Sequence, residues 1–294
     1  MVEKRVRALV LTGYGINCEQ EMAHGYRLAG ARVTIAHLSD VIEGDINLDD
    51  FQILNFPGGF SFGDHLAAGR ALANKLKVTR SFWNRLKKFI KDGKYIWGVC
   101  NGFQVMVKLG LLPMIEGKFG EPEVTMLAND SGIFEDRWVR LLVNHNSPCV
   151  YTRSLNELVL PCRHAEGKIV VRPDLRERLM AAGYVVLQYA DEVGVPTEKY
   201  PFNPNGSEAG VAGICDDTGH IFGLMPHPEA HLFFTNHPNW TRKKVELFRS
   251  GIRTLPVEGE GMQLFRNVVR QAAEDFALMM PGEIEFPNLQ PVGN

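Results

Sequence analysis

The chain has 294 residues, with 34 acidic and 32 basic side chains and a formal net charge of −2, which leaves no electrostatic basis for holding nucleic acid. A hydrophobic fraction of 45% can bury a sizeable core, and one large α/β domain is expected rather than two. No run of apolar residues is long enough for a transmembrane helix, and the 5 cysteines lack CxxC spacing, which argues against a disulfide framework and a zinc site.

The opening Met1-Val2-Glu3-Lys4-Arg5 leads directly into an apolar strand with no signal-peptide core, so a cytosolic (cytoplasmic) protein is expected. Strands are predicted at 6–11, 32–38, 51–56 and 95–99, alternating with helices at 18–29, 64–76, 80–92 and 101–109. That alternation predicts a parallel sheet with crossover helices. Asn17 is expected to cap the first helix and Gly30 to end it, and Gly93 ends the helix before the fourth strand. The third strand stops at Pro57-Gly58-Gly59, where glycine permits positive φ and close approach of a ligand, although such a turn is also common in ordinary loops. Apolar runs near 138–143, 168–171, 184–189, 210–214 and 221–225 predict additional antiparallel strands, and a last helix is predicted at 262–279. Residues 1–280 read as a single domain, and 281–294 as a loose tail.

The fourth strand runs into Gly98-Val99-Cys100-Asn101-Gly102-Phe103-Gln104. A strand that breaks at a glycine-flanked cysteine and then enters a helix is a nucleophile elbow. The turn lifts the sulfur clear of the backbone, and the helix N-terminus favours a thiolate. The flanking glycines are needed where strand and helix approach too closely for a Cβ. A cysteine after a strand can also be a small buried hydrophobe. Far downstream, Ile221 to Met225 ends in Pro226-His227-Pro228-Glu229. The prolines stiffen the strand end, and Glu229 is near enough to orient the His227 ring and stabilise imidazolium. The chain order Cys, His, Glu differs from the Ser, acid, His order of α/β-hydrolases.

Gly-x-Cys-x-Gly-x-Gln around Cys100, followed by His227 and Glu229, resembles the triad of class I glutamine amidotransferases. Four further stretches resemble one branch of them, the glutaminase components of phosphoribosylformylglycinamidine synthases. These are Gly15-Ile16-Asn17-Cys18-Glu19-Gln20-Glu21, Pro57-Gly58-Gly59-Phe60-Ser61-Phe62-Gly63-Asp64, Ala165-Glu166-Gly167-Lys168 and Asn203-Pro204-Asn205-Gly206-Ser207. The resemblance implies a flavodoxin-like α/β fold with a mostly parallel central sheet, flanking helices and added antiparallel strands. It implies hydrolysis of L-glutamine by Cys100, His227 and Glu229, with the Gly59 and Asn101 amides as oxyanion hole. Gly58, Phe60, Phe103 and Gln104 would bind glutamine; Gln104 lies four residues after Cys100, on the same helix face, though a glutamine there can also be a solvated helix residue. The implied partners are an ATP-dependent synthetase subunit acting on formylglycinamide ribonucleotide and a small accessory subunit. ATP and Mg²⁺ would belong to the synthetase, and this chain would carry no cofactor and no metal.

Where the family has His-Gly-Glu-Gly, this chain has His164-Ala165-Glu166-Gly167, and alanine does not easily take positive φ. Residues 231–259 extend the chain beyond a typical stand-alone subunit, with Phe233, Phe234 and Trp240 near Arg242, Lys243 and Lys244. They read as an amphipathic helix through Val245 and Phe248 packed on the core, with a partner surface as the alternative. Cys18 reads as structural, and Gly13-Tyr14-Gly15 is weak evidence for a nucleotide. His24, His37, His65, His145, His220, His231 and His237 show no metal-ligand spacing. Two rivals stay open, the glutaminase of a different synthetase and a catalytically silent scaffold.

Overall fold

The structure, a computed structural model, describes residues 4–282. Its first part alternates strands and helices: β1 (Arg7–Thr12), α1 (Glu19–Leu28), β2 (Arg32–His37), α2 (Leu38–Glu43), β3 (Ile53–Phe56), α3 (Arg70–Val78), α4 (Arg80–Lys91), β4 (Tyr95–Val99) and α5 (Asn101–Leu109). There follow β5 (Val124–Ala128), β6 (Glu135–Val143), β7 (Glu157–His164), β8 (Glu166–Val171), α6 (Pro173–Ala181), β9 (Val185–Ala190), β10 (Val211–Cys215), β11 (Ile221–Leu224), α7 (Trp240–Arg249) and α8 (Met262–Asp275). Among the described residues, nine strands share one sheet in the order β2-β1-β3-β4-β11-β10-β9-β6-β7, while β5 and β8 pair separately. The run from β2 to β11 is parallel and flavodoxin-like in order. Beyond β11 every pairing is antiparallel.

β3 and β4 are buried at every position, as expected of central parallel strands covered on both faces. α4 buries Phe82, Leu86 and Phe89, a stripe at helical spacing. α1 packs on α8, and α3 packs on α4 and α5. Phe265 of α8 sits 5.0 Å from the Tyr26 ring and 4.7 Å from Trp97, tying α1, α8 and β4 into one core. Among the described residues, no helix is long and apolar enough to cross a membrane.

β11 was expected among the antiparallel strands, yet it pairs parallel with β4 and antiparallel only with β10, because the sheet changes direction there. α3 starts at Arg70, not near residue 64, since Phe62, Asp64 and Ala67 hold positive φ. Asn17 does not cap α1; Cys18 holds the cap position without a side-chain bond, and Asn17 Oδ1 accepts from the Cys18 thiol at 3.3 Å. Gly30 does follow the helix end, with φ 92°. β7 has no counterpart among the predicted strands because Pro161 interrupts its pattern; as the edge strand it tolerates the missing N–H. Ala165 is not among the residues with positive φ, so the family's glycine is not needed at that turn. α7 buries none of its residues and is not packed into the core as expected. Most of the predicted tail, residues 283–294, lies outside the described residues.

Candidate active site

Cys100 lies one residue past β4 with φ 50° and ψ −110°, a conformation sparsely populated for any side chain. The reason for its flanking glycines is direct. A Cβ on Gly98 would stand 2.9 Å from the Phe103 backbone nitrogen, and one on Gly102 would stand 1.8 Å from the Phe56 carbonyl oxygen. The strand end and the start of α5 therefore pack backbone against backbone, and Cys100 projects from the bend. Its amide donates to the Leu224 carbonyl at 2.9 Å, and its sulfur lies 3.6 Å from the Arg163 carbonyl.

β11 lies beside β4 in parallel register, with Gly98 opposite Gly223 and Val99 opposite Leu224. The turn past β11 carries His227 towards Cys100 from the neighbouring strand end. The His227 amide donates to the Pro161 carbonyl of β7 at 2.7 Å, which seats the backbone. Its Nδ1 is 2.6 Å from Glu229 Oε1, and both side chains are buried. Burial opposes a charge on His227, but the Glu229 carboxylate and Cys100 outweigh it and hold the imidazolium well above the ordinary histidine range. Among the described residues, His227 Nε2 and Glu229 Oε2 have no hydrogen-bond partner.

The loop after β3 forms the facing wall. A Cβ on Gly58 would fall 2.9 Å from His227 Cε1, 3.2 Å from Cys18 Sγ and 3.5 Å from Cys100 Cβ, so only glycine fits. The Gly58 carbonyl accepts from the Asn17 and Cys18 amides at 3.2 and 3.3 Å. The trans peptide then turns the Gly59 N–H to the opposite side. Gly59 has φ 145°, and a Cβ there would meet the Gly15 carbonyl oxygen at 2.6 Å. Asn101 opens α5, and its amide has no acceptor within the helix. The Asn101 side chain accepts from the Ser61 amide at 3.0 Å and donates to Asp64 and Gln104, so one residue ties loop, elbow and helix.

The expected glutamine-binding residues separate. Gly58 lies against the triad, and Phe60 is 47% exposed beside Phe134, with ring centroids 6.4 Å apart. Gln104 is buried, and its amide already donates to the Glu166 carbonyl and accepts from Asn101. Phe103 is not brought to the pocket; its ring is fully buried against Gly223, where a Cβ would sit 2.1 Å away. Two groups at the site escaped the sequence reading. The Arg163 carbonyl beside the sulfur comes from the unpredicted β7, and Cys18, taken as structural, places its thiol beside His227 and Glu229. The motif Gly15-Ile16-Asn17-Cys18-Glu19 was the available signal for Cys18.

Residues 5–271 match the model of the CobB/CobQ-like glutamine amidotransferase domain. The chain is 40% identical over 270 residues to the phosphoribosylformylglycinamidine synthase subunit PurQ of Methanococcus maripaludis, covering 92% of this chain and 98% of that one. It is 36% identical over 229 residues to the phosphoribosylformylglycinamidine synthase of Drosophila melanogaster, covering 76% of this chain and 17% of that protein. Among solved structures it resembles a chain of PurLQS from Thermotoga maritima, with TM-score 0.63 and 27% identity, over 93% of this chain and 99% of that one.

Proposed function

The chain belongs to the glutamine amidotransferase family and, within it, to the PurQ subunits of phosphoribosylformylglycinamidine synthase; from that membership we propose how its residues divide the work of releasing ammonia from L-glutamine. The Cys100 thiolate attacks the side-chain carboxamide carbon. The oxyanion is received by the Asn101 amide, at the start of α5, and by the Gly59 amide. Imidazolium at His227 gives its proton to the departing nitrogen, which leaves as ammonia, and a thioester to Cys100 remains. Neutral His227 then takes a proton from water, whose oxygen attacks the thioester; glutamate leaves and the thiolate returns. Glu229 keeps the ring oriented throughout. The single observation that carries this reading is the His227–Glu229 bond of 2.6 Å delivered beside the elbow by the parallel pairing of β4 and β11.

Gly58 and Phe60 face glutamine, while Gln104 braces the pocket by holding Glu166 and Asn101. Ammonia passes to an ATP-dependent synthetase subunit that converts formylglycinamide ribonucleotide to the amidine, with a small accessory subunit completing the assembly, as the PurLQS neighbour supports. ATP and Mg²⁺ act on the synthetase, the reaction is cytoplasmic, and residues 1–280 act as one catalytic unit with 231–259 as an added segment. Cys100→Ser tests the reading in the assembled complex. Glutamine-dependent synthesis is lost and ammonia-dependent synthesis stays; equal loss of both makes Cys100 a structural residue.

A further inference from the structure

Cys18 stands at the catalytic centre, outside the Cys100–His227–Glu229 triad to which the hydrolysis is assigned above. It follows β1, more than two hundred positions before His227 and Glu229 in the chain, and its side chain is half-buried rather than sealed away. The Cys18 sulfur, a His227 ring nitrogen and a Glu229 carboxylate oxygen all lie within 4.8 Å of one another. His227 and Glu229 are each only 4% exposed, and Nε2 and Oε2 are buried without hydrogen-bond partners among the described residues, so Oε2 can accept a further bond, as can Nε2 once its proton has left. Gly58 keeps the space between sulfur and ring open, since any Cβ there would touch both.

We propose that Cys18, His227 and Glu229 form an inhibitory site for a thiophilic divalent cation of the zinc class. Thiolate, imidazole and carboxylate are the three donor types that zinc combines in tetrahedral sites, and magnesium, which demands hard oxygen ligands in an octahedron, finds no such set here. Ligand atoms about 2.0–2.3 Å from zinc stand roughly 3.3–3.7 Å apart, so separations that are at most 4.8 Å need only a small adjustment on binding. Rotation of the half-buried Cys18 side chain supplies most of that movement. Binding displaces two protons to solvent, one from the Cys18 thiol and one from the His227 imidazolium, and leaves a fourth position for water. The metal ties up a lone pair that His227 needs as base and the carboxylate that orients it, so an occupied site silences glutamine hydrolysis. Only the fold brings the three donors together, since Cys18 is remote in sequence from His227 and Glu229.

The test uses Co²⁺ and Zn²⁺ on the full chain, with Mg²⁺ as control, and glutaminase assays on the assembled complex. The wild type binds one Co²⁺ with a thiolate-to-metal charge-transfer band, and Cys100→Ser keeps that band. Cys18→Ser loses it and needs at least tenfold more Zn²⁺ for half-inhibition of its own metal-free rate. Zn²⁺ also raises the melting temperature of the wild type and of Cys100→Ser but not of Cys18→Ser or Cys18→Ala. A band that survives Cys18→Ser, or one lost only in Cys100→Ser, overturns the site. The inference shares two residues with the proposed triad but is judged separately. Should Cys100→Ser retain glutamine-dependent synthesis, the hydrolytic reading falls while the Co²⁺ band still decides the metal site.

Discussion

Gly102 packs its Cα against the carbonyl of Phe56 so tightly that a single added carbon would lie 1.8 Å from the oxygen. This contact presses the first turn of α5 onto the end of β3, and it sets the distance between the Asn101 amide and the Gly58-Gly59 loop. Gly102→Ala must push the two elements apart. Overpacking of this kind costs about 1–3 kcal/mol and occasionally more, and here it also displaces an oxyanion donor. Lowered melting temperature together with a large fall in glutaminase turnover is expected. A variant with the wild-type melt and rate would show that the elbow does not depend on this contact.

The His227–Glu229 pair makes a graded prediction. Glu229→Gln keeps a group able to bond Nδ1 but removes the charge that supports imidazolium, whereas His227→Ala removes the proton carrier itself. Turnover is expected to fall in both, and further in His227→Ala. Steady-state glutaminase kinetics on the assembled complex decide it. A wild-type rate for His227→Ala would end the triad assignment.

A second buried histidine links the fold to pH. Asn129 donates through Nδ2 to the carbonyls of Ile133 and His164, so its Oδ1 accepts from His164 Nδ1 at 3.1 Å and Nε2 carries no proton. Burial, aided by the nearby His227, pushes the His164 pKa down to about 3. The unfolded chain, with a histidine pKa of about 6.5, takes up a proton that the native state refuses. Stability is therefore complete above about pH 6.5 and falls as pH drops towards 3, by up to about 1.4 kcal/mol per unit. Urea unfolding between about pH 7 and about pH 5 is expected to show a shallower loss for His164→Asn than for the wild type. Parallel curves would mean that His164 is not held neutral.

α7 sets a bound on how much residues 231–259 add to stability. Phe248 is half-buried, α7 has no buried residue, and a cavity of about 600 Å³ lined by Leu158, Phe234, Leu247 and Gln263 lies beneath the helix. Phe248→Ala is expected to cost under about 1.5 kcal/mol, where a fully buried phenylalanine costs about 3–5 kcal/mol. A loss in the core range, measured by denaturant unfolding, would place the ring inside the fold.

What the sequence determined by itself was local. The glycine-flanked Cys100 announces a backbone bend that no larger residue permits, and His227 and Glu229, separated only by Pro228, are close by chain geometry. Alternating strand and helix periods up to Gln104 were legible for the same reason, since each depends on neighbours within a few turns. Other relationships needed the folded molecule. β11 lies parallel to β4, and only that pairing brings His227 to Cys100. Pro161 hides β7 from pattern analysis, yet its carbonyl seats His227, and that arrangement exists because an edge strand needs no N–H on its open side. Phe103 sits within the elbow motif, but its direction is set by the space that Gly223 leaves in the adjacent strand, so it packs in the core. Cys18 meets the triad through the bonds of its loop to Gly58. Each of these joins segments distant along the chain, and the packing free energy that selects among such pairings is a property of the whole assembled core, which no local window of sequence contains.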